Sequence, residues 1–272
     1  MKEINYLMEN DEESYRLDIK TDSKVVEKQA LWAGIKPGMR VADFGCGPGK
    51  TTFVLHGLVQ PSGAVIGVDG SEKRIEYAKK HYGVDGIEFT CKDIREPLDD
   101  LGMFDFVWVR FVLEYYRSKS FDIVKNISQS LKPEGILCLI DLDCNCLNHF
   151  GFSQRLERTI RGVMSTIEKH ADFDPYAGRK LYSFLYDLGY QDIDVNFAPH
   201  HLILGKFKET EVFDWMKKLE VAARSSGYRF EEYRGGFEEF FEECKSSFAN
   251  PRIFIYTPVI SCKGIKPDKE II

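Results

Sequence analysis

Asp43, Gly45, Gly47 and Gly49 stand at alternate positions of VADFGCGPGKTT, residues 41 to 52, and Lys50-Thr51 follows at once. Glycines this dense after an apolar run let a backbone come close to a ligand. A P-loop needs Gly, four residues, then Gly-Lys-Ser/Thr, and Phe44 occupies the position of its first glycine. A dinucleotide fingerprint needs GxGxxG, and Lys50 occupies the position of its third. Further acids are spaced along the chain. Asp69 closes an apolar run 24 residues beyond Gly45, where a carboxylate can accept hydrogen bonds from both hydroxyls of a ribose or simply cap the helix that follows Ser71. Asp141 and Asp143, two apart, lie on one side of a strand and could bind an amine or accept a proton; a solvated strand end is the plain alternative. Cys144, Cys146 and His149 invite a metal, but no second ligand pair at zinc spacing accompanies them, so no metal is expected. His200-His201 shows no partner in sequence.

These residues sit at the ends of regularly alternating elements. RVADF, AVIGVD, GIEFTC, FDFVWVR and GILCLID are short apolar runs of the kind buried on both faces of a parallel sheet. Helical spacing fills KTTFVLHGLV, SEKRIEYAKKHY and KSFDIVKNISQSLK between them. Strand, helix, strand, repeated, predicts a doubly wound α/β sheet with right-handed crossovers, and such sheets bind ligands outside the carboxyl ends of their strands. A helix over 176–189, a strand over 192–198 and a long final strand over 252–264 resume the pattern. Two stretches stand outside it: 142–175 and 206–249, the second rich in Phe, Tyr, Trp and Glu, read as helical insertions forming a cap.

With 272 residues, 43% hydrophobic and 29% charged, the chain has the composition of an ordinary globular protein. A net charge of −6 without a Lys/Arg block argues against nucleic acid as the main partner, since that binding draws on clustered positive charge. No run approaches twenty apolar residues, and the acidic N-terminus lacks a signal-peptide core, so no membrane association and a cytoplasmic location are expected. Seven scattered cysteines fit reduced thiols. Oligomeric state is left open.

The order of features from 41 to 141 resembles the Rossmann-like (class I) S-adenosylmethionine-dependent methyltransferases. That resemblance implies a mostly parallel seven-stranded sheet ending in an antiparallel hairpin, and S-adenosyl-L-methionine as co-substrate with S-adenosyl-L-homocysteine as product. It implies that Gly45, Gly47, Gly49 and the helix start at Thr51 receive the methionine part, with Asp43 holding its ammonium directly or through water. Asp69 and the adjoining Gly70 would take the ribose, and the stem of Arg74 would cover the adenine while its charge reaches water. Asp93 would accept the adenine amino group, with Ile94 covering the ring or giving its backbone N–H. In FDFVWVRFVLEYY, 104–116, Val109 and Arg110 would line the methionine end, while Phe111 and Tyr115 face the acceptor; Tyr115 stands where some members carry a histidine base. Arg16, next to Tyr15 in a leading helical lid over residues 1–30, would meet the methionine carboxylate.

The expected domains are that lid, a cofactor-binding domain over 31–141, 176–205 and 250–272, and the two insertions as an acceptor cap. The expected activity is methyl transfer to an O, N or C atom of a small organic molecule with an apolar or aromatic part, Asp141 helping to position it. Among Phe213, Trp215, Tyr228, Tyr233, Phe237, Phe240 and Phe241, most are expected in the cap's own core. A non-catalytic module that binds the methyl donor or its product is the rival from another class. A nicotinamide-dependent oxidoreductase is the second rival, resting only on Asp69 and the glycines.

Overall fold

Apolar runs five to seven residues long, with no charged alternation, can satisfy both their side chains and their backbone only inside a parallel sheet covered on both faces. The computed structural model, which describes residues 13–145 and 147–268, has that architecture. Strands β1 (Arg40–Phe44), β2 (Ala64–Asp69), β3 (Ile87–Cys91), β4 (Phe104–Arg110) and β5 (Leu131–Leu142) are parallel, in the order β3-β2-β1-β4-β5. The two-residue strand β6 is His149–Phe150, and β7 (Gln191–Leu204) and β8 (Phe254–Ile265) form an antiparallel hairpin. Strand β8 runs antiparallel to β5 from Val259 onward, and its first residues, Phe254 and Ile255, reach beyond β5 to pair with β6. Seven long strands therefore make the sheet, and β6 adds a short eighth.

Helices α1 (Glu13–Lys20) and α2 (Ser23–Ala33) precede the sheet. The crossovers carry α3 (Lys50–Val59), α4 (Glu72–Tyr82) and α5 (Ser120–Gln129). One core joins α2 and α3 to Val41, Phe106 and Trp108, and another joins α5 to Phe44, Val107 and Val109. Because Val26, Ala30 and Ala33 of α2 are fully buried in the first of these, a lid ending at residue 30 would cut a structural helix; only α1 stands clear of the sheet core.

The stretches outside the alternation form one body. Helix α6 (Gln154–His170) buries Leu156, Ile160, Val163, Met164 and Ile167, spaced to make one stripe, against α8 (Glu209–Ser226) and α9 (Gly236–Ser247). Arg155 ties α6 to α9 through Glu239 at 2.9 Å and Glu243 at 2.7 Å. Helix α7 (Leu181–Asp187) belongs instead to the sheet core. Strand β7 runs past the expected 192–198 while β8 lies close to the expected 252–264, and their outer halves carry Ile203 and Ile255 into the helical layer.

Candidate active site

The carboxyl ends of β1, β2, β3 and β4 open into a cavity of about 510 Å³, which extends under α1 and along α6 and α8. At its sheet end the chain leaves β1 through Gly45, whose N–H donates to Val68 O at 2.7 Å. The three glycines do different work. Gly47, at φ +55°, has room beside it: a Cβ there would find nothing nearer than Leu17 Cδ1 at 3.8 Å. A Cβ on Gly45 would overlap Val112, and one on Gly49 would lie 2.7 Å from Ala78 Cβ and 2.8 Å from Phe89 Cζ. Gly49 thus packs the loop onto α4 and β3 and does not reach the cavity wall, whereas Gly45, Gly47 and Thr51 do.

Asp69 organises the loop. Its Oδ2 accepts from Gly47 N at 2.9 Å, and its Oδ1 accepts from Ser71 N and from Arg74 Nε, both at 3.0 Å. Arg74 therefore differs from its expected posture: the guanidinium folds back onto Asp69 instead of reaching water. Gly70 has no atom within 4 Å of where a Cβ would stand. Asp93 accepts from Arg95 N at 2.9 Å and forms an ion pair with its guanidinium, which holds the carboxyl below its usual range. The buried Ile94 lines the wall, its carbonyl fixed by Asn126 Nδ2 at 2.9 Å.

Asp43 and Val109 lie behind this surface. Val109 is fully buried in the sheet, and Asp43, 1% exposed, accepts from Thr52 Oγ1 at 2.7 Å. Arg110 is on the wall, its guanidinium 4.0 Å over the Phe111 ring and its Nε 3.3 Å from Gln29 Oε1. Burial pulls its pKa down to about 10 against the attraction of Asp43 and Asp141. Phe111, at φ +60°, holds a strained backbone angle of the kind found at functional sites. Tyr115 packs edge-on against Phe173, ring centres 5.6 Å apart, and both line the cavity.

Asp141 is placed differently from its expected role. It is completely buried, and its carboxylate accepts from the backbone N–H groups of Glu114 at 3.2 Å and Leu142 at 2.9 Å, so it holds the turn after β4 and is absent from the wall. Asp143 is paired with Arg179 at 2.7 Å. Cys144 lies 3.1 Å from Arg179 Nη2, His149 packs on Phe152, and Cys146 falls outside the described residues. Arg16 reaches the wall from α1 with its guanidinium 2.7 Å from Glu13 Oε1; the rest of the expected lid, residues 1–12, lies outside the described residues.

Among the insertion aromatics Trp215 lines the cavity, while Tyr233, Phe237, Phe240 and Phe241 pack within the helical layer; the side chain of Phe213 lies outside the described residues. Sequence reasoning missed Glu114, Lys20, Lys218 and Asn145, all on the wall. Glu114 was visible inside VLEYY, but nothing in sequence marked a buried glutamate. Asn145 Nδ2 donates to Glu114 Oε2 at 3.0 Å, and burial raises the carboxyl's pKa.

Open space at Gly47 and Gly70, acids at the ends of β2 and β3, and the uncapped first turn of α3 form a donor and acceptor set that fits an adenosine carrying an amino-acid tail. Residues 35–187 match the family described as methyltransferase domain. The chain is 35% identical over 106 residues to demethylmenaquinone methyltransferase of Lactococcus lactis, a match covering 38% of this chain and 42% of that one. It is 34% identical over 110 residues to juvenile hormone acid O-methyltransferase of Bombyx mori, covering 39% of each. The matches thus span about two fifths of these curated relatives. A solved structure from Bacillus halodurans C-125 aligns over 90% of this chain and 99% of its own with a TM-score of 0.58 at 16% identity, a likeness of fold. The family match, carried by more than half of the chain and by the sheet order described above, makes this chain a member of the Rossmann-like S-adenosylmethionine-dependent methyltransferases.

Proposed function

We propose that this protein transfers the methyl group of S-adenosylmethionine to a small organic molecule with an apolar part. One observation carries the reading: a single cavity joins the glycine loop at the sheet edge to the apolar faces of α6 and α8. The co-substrate supplies an electrophilic methyl group on a sulfonium that leaves without protonation. The protein's work is therefore alignment and exclusion of water. Gly47 and Gly70 leave room for the ligand's backbone approach, Asp69 and Asp93 accept its hydroxyl and amino hydrogens, and Ile94 covers an aromatic face. Arg110, stacked on Phe111 and attracted by the buried Asp43 behind the wall, would receive the carboxylate of the amino-acid tail. Ile160, Met164, Phe173 and Trp215 supply an apolar surface for the acceptor.

Among the described residues no helix is long and apolar enough to cross a membrane, and a reducing, cytoplasmic setting suits the free thiols of Cys46, Cys138 and Cys262. The test is formation of S-adenosylhomocysteine when the protein is incubated with S-adenosylmethionine and fractions of small-molecule extract. Product that accumulates only with protein and one fraction supports the proposal. Tight binding of the co-substrate with no turnover across all fractions would mark a binding module instead.

A further inference from the structure

Two lysines on the cavity wall are not explained by a neutral acceptor. Lys20 ends α1 and Lys218 lies in the middle of α8, 198 positions apart in sequence, yet both line this one cavity. Among the described residues neither ammonium has a carboxylate within 4 Å. The arginines of the wall are provided for: Arg74 by Asp69, Arg95 by Asp93, Arg16 by Glu13, and Arg110 by the attraction of Asp43 and Asp141. The acid near the lysines is Glu114, whose anion burial disfavours and both lysines favour; it already accepts from Asn145, and one carboxylate stands against two lysines. His200 and His201, on the adjoining face of β7, are held neutral by burial and add no negative charge.

Two lysines set in a partly dry cavity keep their charged forms only when something negative stands beside them. Apolar side chains flank them: Trp215 and Leu219 share a helix with Lys218, and Val163, Met164 and Ile167 line the cavity from α6. We infer that the acceptor is an amphipathic acid, its anionic head held between Lys20 and Lys218 and its apolar body against α6 and α8. This rests on the methyltransferase reading above and adds the chemical class of its acceptor. Burial pulls the Lys20 ammonium well below its ordinary range, and an anion bound beside it would restore its charge.

The test compares decanoate with decanol, which share a chain and differ in charge, by titration calorimetry on the full chain saturated with S-adenosylhomocysteine. Decanoate is expected to bind at least tenfold more tightly than decanol. Lys218→Met should remove that preference while leaving decanol binding and the S-adenosylhomocysteine affinity unchanged. If Lys218→Met does not melt cooperatively, Lys20→Gln serves in its place. Equal binding of the two probes, no binding of decanoate at millimolar concentration, or a preference that survives the substitution would each overturn the inference. Failure of S-adenosylhomocysteine itself to bind would instead strike the methyltransferase reading, so the two failures are separable.

Discussion

Burial pushes the Asp43 carboxyl up to about 7, with the Thr52 hydroxyl and Arg110 opposing the shift. An acid whose folded pKa exceeds its unfolded value near 3.8 holds its proton more tightly in the native state. Stability from this group therefore falls as pH rises from about 4 to 7 and is level above that, a swing of at most about 4 kcal/mol. An asparagine in its place would still accept from Thr52 but would not ionise. Asp43→Asn should flatten the dependence of Tm on pH and raise Tm at pH 8, and melts at pH 5, 6.5 and 8 would check it; parallel slopes in both proteins would contradict the argument. Asp69 is loaded differently. Three of its roughly four acceptor positions are taken within the protein, and of those donors Arg74 is the one that can swing away without moving backbone. Asp69→Ala should weaken S-adenosylhomocysteine binding by about 1.5–3 kcal/mol and also lower Tm, because Gly47 N–H and Ser71 N–H lose their acceptor. An unchanged calorimetric affinity in the folded variant would refute its ribose role.

The loop between β1 and α3 shows how one element divides packing from binding. Gly49 is pressed against α4 and β3, while Gly47 faces open space. Gly49→Ala should cost stability, about 1–3 kcal/mol from overpacking on top of backbone strain at φ +92°. Gly47→Val should instead act on the ligand: its branched side chain would stand where the cofactor's tail is proposed to lie, and its strain at φ +55° adds to this. Melting and S-adenosylhomocysteine titration of the two variants separate these outcomes. A Gly49 variant that melts like the parent but fails to bind would reverse the assignment. The same division holds after β4, where Val109 ends inside the sheet and the chain turns outward at Phe111, with Asp141 beneath the turn gripping Glu114 N–H.

At the scale of the whole molecule the helical layer shares one hydrophobic core. Phe240 is fully buried within it, and α6 is covered by α8 and α9. Replacing 207–249 alone by a short Gly-Ser turn should thus uncover the stripe from Leu156 to Ile167 and abolish a cooperative melt. Replacing both 149–170 and 207–249 should leave a folded sheet domain that binds S-adenosylhomocysteine within about tenfold, or 1.4 kcal/mol, of the parent and turns over no acceptor. A doubly shortened protein that still methylates at the parent rate would show that the layer is no acceptor cap.

The alternation of strands and helices, the glycine loop and the acids at the ends of β2 and β3 were legible from sequence because each depends on local composition: uniform apolar runs mark strands buried on both faces, and glycines mark tight turns. Val109, Gly49 and Asp43 were also found, but sequence could not tell that they stand behind the wall, since whether a residue at a strand end faces a cavity depends on what packs on it. Asp141 looked like an exposed strand-end acid until the turn after β4 was seen to cover it. The union of 142–175 with 206–249 in one cap was expected from sequence, but which of their side chains share a core, and that Lys20 and Lys218 line one cavity, came from tertiary structure alone. Residues so far apart along the chain carry no mark of one another in a single sequence; only the folding of α1 and α8 over the same sheet edge brings their charges into one cavity.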